Sequence, residues 1–445
     1  MIKNLNSKID EYSDKNFCRN ENELKNRILF VIFAIIIFRI GSLIPIPGID
    51  ISVLSKILSK NHGNFLDMLN MFSGGAIYKA SIFSLGIMPY ISSSIVIQLL
   101  TFITPFFSDM KKDGENGKKQ INKYTKYLTL LLAIIQSIGI SVSLPNIPIF
   151  DNLVINNSFK FYVLCSLSLM TGTMFLMWMG DLITKYGIGN GVSIIIFLGI
   201  ISTVPLNFLN FLEKVRLINF NWLVFIFLFL FIFFIFFFIA FIERSYYKIP
   251  IQYANRTHIR KIYISGNSYL PLKVNIVGVI PAIFASSIIL LFSTVISWIS
   301  NLYKNNFLLN LSVYLKPNNF FYILIYSFFI IFFCFFYTKL IFNPIDTSEN
   351  LKKSSAFIKG IRPGNNTSIY INRVVSKLTF IGSLYITFIC TIPDFIRYLL
   401  NYSFYFSGTS LLIVVVVVID CINQIQNIIV SKSYVTKLNK KNKYI

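Results

Sequence analysis

Crossing a bilayer as a helix takes about twenty apolar residues. Ten runs in the chain reach that length or approach it: 28–46, 81–104, 127–144, 161–180, 192–211, 222–242, 274–298, 320–342, 374–392 and 406–430. The sixth is the clearest, uncharged from Trp222 to Ile242 and closed by Glu243-Arg244, and the tenth holds five consecutive valines. Only helices and closed barrels satisfy their backbone groups inside a bilayer. The pattern therefore predicts an all-α polytopic membrane protein with ten transmembrane helices.

One stretch departs from that plan. Residues 64–72 read as helical but are too short to span, and Ser73-Gly74-Gly75 breaks them, since glycine is costly in a helix interior. The second span follows, helical over 81–104, with a weak point at Gly86 and Pro89, where the ring removes a backbone donor. A half-helix leading into an interrupted span places irregular backbone in a protein-lined or watery cavity at membrane depth. A re-entrant loop with a proline kink and no special role reads the same residues.

Smaller features mark the other runs. Arg39 lies towards the outer end of the first span, where a long side chain snorkels. Thr171-Gly172-Thr173 suits close helix packing in the fourth. Gly187-Ile188-Gly189-Asn190-Gly191 reads as a tight interfacial turn rather than a nucleotide loop. Alternation over 261–265 suggests a short hairpin.

Composition agrees with the pattern. Of 445 residues, 55% are hydrophobic and 13% charged, where soluble domains carry ~25% charge; mean hydropathy is +0.66. Forty-one Lys and Arg against 18 Asp and Glu give a net charge of +23. The Lys-, Ile-, Phe- and Asn-rich palette is also that of an AT-rich genome, so position says more than total. Lys and Arg bias sets orientation. With the N-terminus inside, the segments 1–27, 105–126, 180–190, 243–273, 339–377 and 430–445 hold 31 of the 41 and the intervening outer segments 9, with Arg39 in a span. The chain then divides into a cytoplasmic arm (1–27), an N-terminal half (28–211), a C-terminal half (212–430) with large cytoplasmic loops at 243–273 and 343–373, and a cytoplasmic tail (431–445). Five spans per half give the halves opposite topology, the condition for an inverted repeat, although no internal sequence match stands out.

The chemistry on offer is sparse. Cys18, Cys165, Cys334, Cys390 and Cys421 have no paired spacing, and four of them sit in or beside apolar runs as small buried residues. There are two histidines and no HExxH, GxSxG or GxxxxGK[ST], so no enzyme, metal or cofactor is expected. The polar start of the chain does not read as a signal peptide. Asp181, Glu243 and Asp420 sit towards cytoplasmic span ends. The scarcity of ionisable groups at span centres argues against the leading alternative, an ion-coupled secondary transporter of a small solute.

Ten phrases in order resemble the SecY family of bacterial protein translocase subunits: IPIPGID (44–50), LNMFSGGA (69–76), LGIMPYIS (85–92), GTMFLMW (172–178), GIGNG (187–191), LPLKVN (270–275), GVIPAIFASSI (278–288), NLKKS (350–354), GIRPG (360–364) and FSGTSLLIVVVV (406–417). The resemblance covers roughly residues 25–430. It implies a protein-conducting channel of the inner membrane, two pseudo-symmetric five-helix halves around a central hourglass pore that opens laterally between spans two and seven. The half-helix becomes a plug over 64–76: Asn64, Phe65, Leu66, Asp67, Met68, Leu69, Asn70, Met71, Phe72, Ser73, Gly74 and Gly75. Ile87, Ile91, Ile195, Ile283 and Ile413 map onto the pore ring, and Gln98 and Asn275 onto facing polar positions of the lateral gate. Arg256, Arg260, Lys352, Lys353 and Arg362 map onto the docking surface. The implied partners are the small membrane subunits SecE and SecG, the SecA motor ATPase, the ribosome, signal sequences with their unfolded secretory or membrane proteins, and the lipid bilayer.

Overall fold

A computed structural model describes residues 24–49, 73–77, 79–146, 159–217, 222–253, 268–303, 319–400 and 407–442. The half-helix 64–72, the hairpin stretch 261–265, Arg256 and Arg260 lie outside the described residues. The chain folds as two compact units, one of Met1–Thr101, Phe106–Asn207 and Val417–Ile445, the other of Phe102–Pro105 and Phe208–Val416.

In the first unit α1 (24–41) is followed by non-helical backbone whose far side pairs with the approach to the second span. Ile46 N–H donates to the Ala80 carbonyl (2.8 Å), and Ile82 N–H to that of Ile44 (3.1 Å). Next come α2 (Met88–Ile103), α3 (Pro105–Lys112), α4 (Glu115–Asn146), α5 (Phe159–Tyr186) and α6 (Gly191–Leu217). A column of stacked rings, Phe38–Phe83 at 6.0 Å and Phe83–Phe175 at 5.9 Å, joins α1, the approach segment and α5. Ser93 and Thr129 hydroxyls, 2.6 Å apart and buried, tie α2 to α4. Such bonds are worth about 0.6–2 kcal/mol between membrane helices.

The second unit holds α7 (Trp222–Glu243), β1 (Tyr246–Tyr253), β2 (Ser268–Lys273), α8 (Ile280–Tyr303), α9 (Phe320–Ile341), α10 (Pro344–Lys353), β3 (Ala356–Ile358), α11 (Asn365–Leu400) and the start of α12 (Gly408–Asn442). The Phe284 ring packs edge-on against Phe333 and Tyr337 of α9. The three strands form one antiparallel sheet in the order β2-β1-β3. Its buried side, Ile249, Leu272 and Ile358, sits on Ile371, Val375 and Leu378 of α11.

Several expectations are corrected. The chain is not all-α: the two large loops, 243–273 and 343–373, supply strands to a single sheet, with Ile251 opposite Ile358. The second span does not become helical at Ser81; residues 81–87 are turns and the helix begins at Met88. Pro89 is its second residue, where no intrahelical donor is needed, so it starts the helix rather than kinking it. The basic loop 105–126 is itself mostly helical, α3 bending 95° away from α2 and α4 starting at Glu115. The seventh span begins at Ile280 rather than residue 274. The helix of the ninth span, α11, continues to Leu400 and so contains Asp394, which is 5% exposed and lies outside the span that hydropathy marks.

Among the described residues five helices (α4, α5, α9, α11 and α12) are long and apolar enough to cross a membrane, or six if the bent pair α2–α3 counts as one. Shorter apolar stretches lie in α6, α7 and α8, at Gly191–Pro205, Leu230–Glu243 and Ile280–Ile289.

Candidate functional site

A similar device appears in both units. Gly86-Ile87-Met88-Pro89 and Gly278-Val279-Ile280-Pro281 share a Gly-x-x-Pro pattern that a search for internal similarity misses because only two positions are fixed. Both glycines are left-handed, φ +57° and +69°, a region costly to other L-residues. Both prolines are the second residue of a helix. Ile91 N–H donates to the Ile87 carbonyl (3.1 Å) and Ile283 N–H to the Val279 carbonyl (3.3 Å), closing the equivalent first turns. Irregular backbone thus hands over to a helix at matching points.

The isoleucines cluster at such helix starts. Ile91 and Ile283 are each the fourth residue of their helix, Ile195 the fifth of α6 and Ile413 the sixth of α12. Ile87 immediately precedes α2 instead of lying within it. Ile87, Ile91, Ile195 and Ile413 are buried and Ile283 half-buried. The Ile195 Cδ1 lies 3.4 Å from where a β-carbon on Gly180 would sit, so it packs on α5. The first three belong to the first unit, Ile283 and Ile413 to the second.

Of the plug candidate 64–76, residues 73–76 are described. Gly74 and Gly75 both have positive φ, +75° and +80°. The Gly74 carbonyl accepts from Ser202 Oγ at 2.9 Å, and a β-carbon there would come within 3.1 Å of Gly199 Cα, so α6 holds this turn closely.

The gate candidates have distinct surroundings. Gln98 is half-buried on α2; its amide nitrogen donates to Ser94 Oγ at 3.2 Å, while its buried Oε1 has no hydrogen-bond partner among the described residues. Asn275, 4% exposed, donates from Nδ2 to Glu243 Oε1 at 2.6 Å and accepts at Oδ1 from Gly278 N–H at 3.1 Å. Sequence reasoning placed Glu243 only as the end of the sixth span; its burial, at 6% exposed, is visible only in the fold.

The docking candidates Lys352, Lys353 and Arg362 are exposed on the second unit. The sheet adds exposed Arg244, Lys248 and Lys359, with the Lys248 ammonium 4.8 Å from the Tyr269 ring centre, a cation–π contact. The turn carrying Arg362 is closed by Thr367 Oγ1 donating to the Arg362 carbonyl at 3.0 Å. In the first unit the glycine turn is fixed on both sides: Gly191 N–H donates to Thr184 Oγ1 (2.9 Å) and Gly189 N–H to Gln424 Oε1 (2.6 Å) on α12. Lys126 and Asp181 form a half-exposed ion pair between α4 and α5.

Solved structures resemble this fold. A protein-conducting channel matches with a TM-score of 0.64 over 92% of this chain and 93% of its own, at 16% identity. The Sec61 channel of a canine ribosome–channel complex matches with 0.59 over the same shares, also at 16%. The fold is therefore that of the helical membrane channels that conduct protein. Sequence makes the assignment narrower. The SecY family model matches residues 81–422. The protein translocase subunit SecY of Buchnera aphidicola subsp. Acyrthosiphon pisum is 57% identical over 96% of this chain and 98% of its own. That of Escherichia coli K12 is 53% identical over 94% and 95%. The chain belongs to the SecY family.

Proposed function

We propose that this chain is the central pore subunit of the general secretory translocase, passing unfolded polypeptides across the inner membrane and releasing apolar segments sideways into lipid. The observation that carries it is identity of 53–57% along nearly the whole chain to translocase subunits. Those relatives are channel subunits, not enzymes or solute carriers, which leaves the small-solute transporter reading without support.

Ten spans stand in two halves with both termini cytoplasmic; Ile87, Ile91, Ile195, Ile283 and Ile413 form the pore ring and 64–76 the plug. A pore for chains of any sequence has no use for specific ligands. An aliphatic ring deforms around a passing segment and dewets when empty, holding back ions. Lateral release is a partition between pore and lipid, worth about −0.3 to −0.6 kcal/mol for each central Leu, Ile, Phe or Val. Gln98 and Asn275 supply a weak polar latch. The exposed cations around Arg362, with Arg256 and Arg260, make a docking surface whose attraction to ribosomal phosphates falls with salt. Structural neighbours of this fold were solved on ribosomes, the canine Sec61 channel and the yeast Ssh1 complex. SecA, SecE and SecG complete the assembly.

A photocrosslinking residue at Ile91 or Ile283, with a secretory precursor stalled in transit, tests the reading. Both positions should crosslink to the precursor, and exposed Phe237 of α7 should not. Precursor crosslinking at Phe237 alone would place the path elsewhere.

A further inference from the structure

A carboxylate at a helix C-terminus opposes the helix dipole, and burying it costs more unless hydrogen bonds compensate. Glu243 meets both conditions: it is the last residue of α7 and 6% exposed. Its Oε1 accepts from Asn275 Nδ2 at 2.6 Å. Asn275 Oδ1 in turn accepts from Gly278 N–H at 3.1 Å, in the left-handed turn that launches α8. Nearby, Val274 N–H donates to the Ser245 carbonyl at 3.2 Å, so the end of α7 and the approach to α8 are joined by backbone as well.

These bonds fix the amide. A side-chain amide has two N–H donors and one acceptor oxygen. Only one orientation lets the oxygen face the Gly278 N–H and the nitrogen face a carboxylate. One N–H is spent on Glu243, the oxygen is spent on Gly278, and a single N–H remains to give. Without Glu243 the nitrogen loses its strongest anchor and the amide is free to turn.

We infer that Glu243 is a positioning residue of the lateral gate: it orients Asn275 so that one amide N–H is presented, and the gate partner must therefore be an acceptor. This rests on the proposed gate role of Asn275. Glu243 thereby raises the energy needed to open the gate without touching the translocating chain.

The test is a double-mutant cycle in the assembled translocase, reading export of a precursor with a defective signal sequence relative to the intact precursor. Asn275→Ala and Glu243→Ala should each raise that ratio about tenfold, the equivalent of roughly 1.4 kcal/mol. The double variant should rise no further, and Glu243→Gln, whose carbonyl still accepts from Asn275, should stay at the wild-type ratio. Glu243→Met, which keeps the volume, serves if the alanine variant fails to accumulate in the membrane. A normal ratio in Glu243→Ala or Glu243→Met alongside a raised one in Asn275→Ala would overturn the inference and leave the gate reading standing. Additive effects would overturn it as well. An unchanged ratio in Asn275→Ala would remove the gate role of Asn275, and this inference with it.

Discussion

Serine in place of isoleucine removes apolar surface and adds a group that water binds. At a dewetted waist, two such changes should matter more than their burial alone would suggest. Ile87→Ser combined with Ile283→Ser is expected to raise resting ion conductance of reconstituted channels several-fold, while Phe237→Ser, on a residue 68% exposed in α7, leaves it unchanged. Equal conductance in the double variant and wild type, with both folded, would make these residues ordinary packing. Backbone strain gives a second residue-level test. Gly278 has φ +69° with no heavy atom within 4 Å of where a β-carbon would sit. Gly278→Ala should therefore cost only the conformational strain, about 1–2 kcal/mol, read as a lower Tm in detergent. Gly191→Ala should cost more, since its β-carbon would fall 1.9 Å from the Gly180 carbonyl oxygen. The family phrases supplied the ring candidates, but not the surroundings of those residues. Pro89 looked like a kink because its position relative to the helix start is set by the Gly86 turn, and periodicity carries no signal for that boundary.

An apolar run in a bilayer must satisfy its own backbone, and five described helices long and apolar enough to cross a membrane fall on runs that hydropathy marked. Their ends were misjudged where helices run on beyond the apolar stretch, as α11 does from Asn365 to Leu400. The pairing of β1 with β3 was invisible for a different reason. β1 and β3 lie about a hundred residues apart in sequence, and β3 is only three residues long. Nothing local marks such a pairing. Its consequence is that the two basic loops act as one body. Proline fixes φ, so Phe357→Pro at the middle of the three-residue β3 should disturb its pairing with β1 and loosen that body. Ribosome binding should weaken while membrane insertion and resting conductance stay normal. Arg362→Glu should produce the same split, impaired motor-driven export from an ion-tight channel, because Arg362 is exposed and its loop is anchored independently by Thr367. Leakage without an export defect in either variant would count against the docking role.

At the scale of the molecule, charge asymmetry and ten apolar runs gave a topology before any coordinates. Cysteines introduced at Lys118 and Lys353 in a cysteine-free background should react with impermeant thiol reagents only from the cytoplasmic side, and one at Lys160 only from outside. A reversed pattern at any of them would break the ten-span order. The pseudo-symmetry of the halves was permitted by the odd span count. The structure adds a local likeness: Gly86 and Gly278 both take left-handed turns before a helix whose second residue is proline. The central claim is that this chain forms a route for unfolded polypeptide. Purified with its small membrane subunits, placed in proteoliposomes and supplied with the motor ATPase and ATP, it should render a secretory precursor protease-resistant inside the vesicles. The protected fraction should be lost when the precursor is folded in advance. Protection no greater than in vesicles lacking this chain would contradict the account.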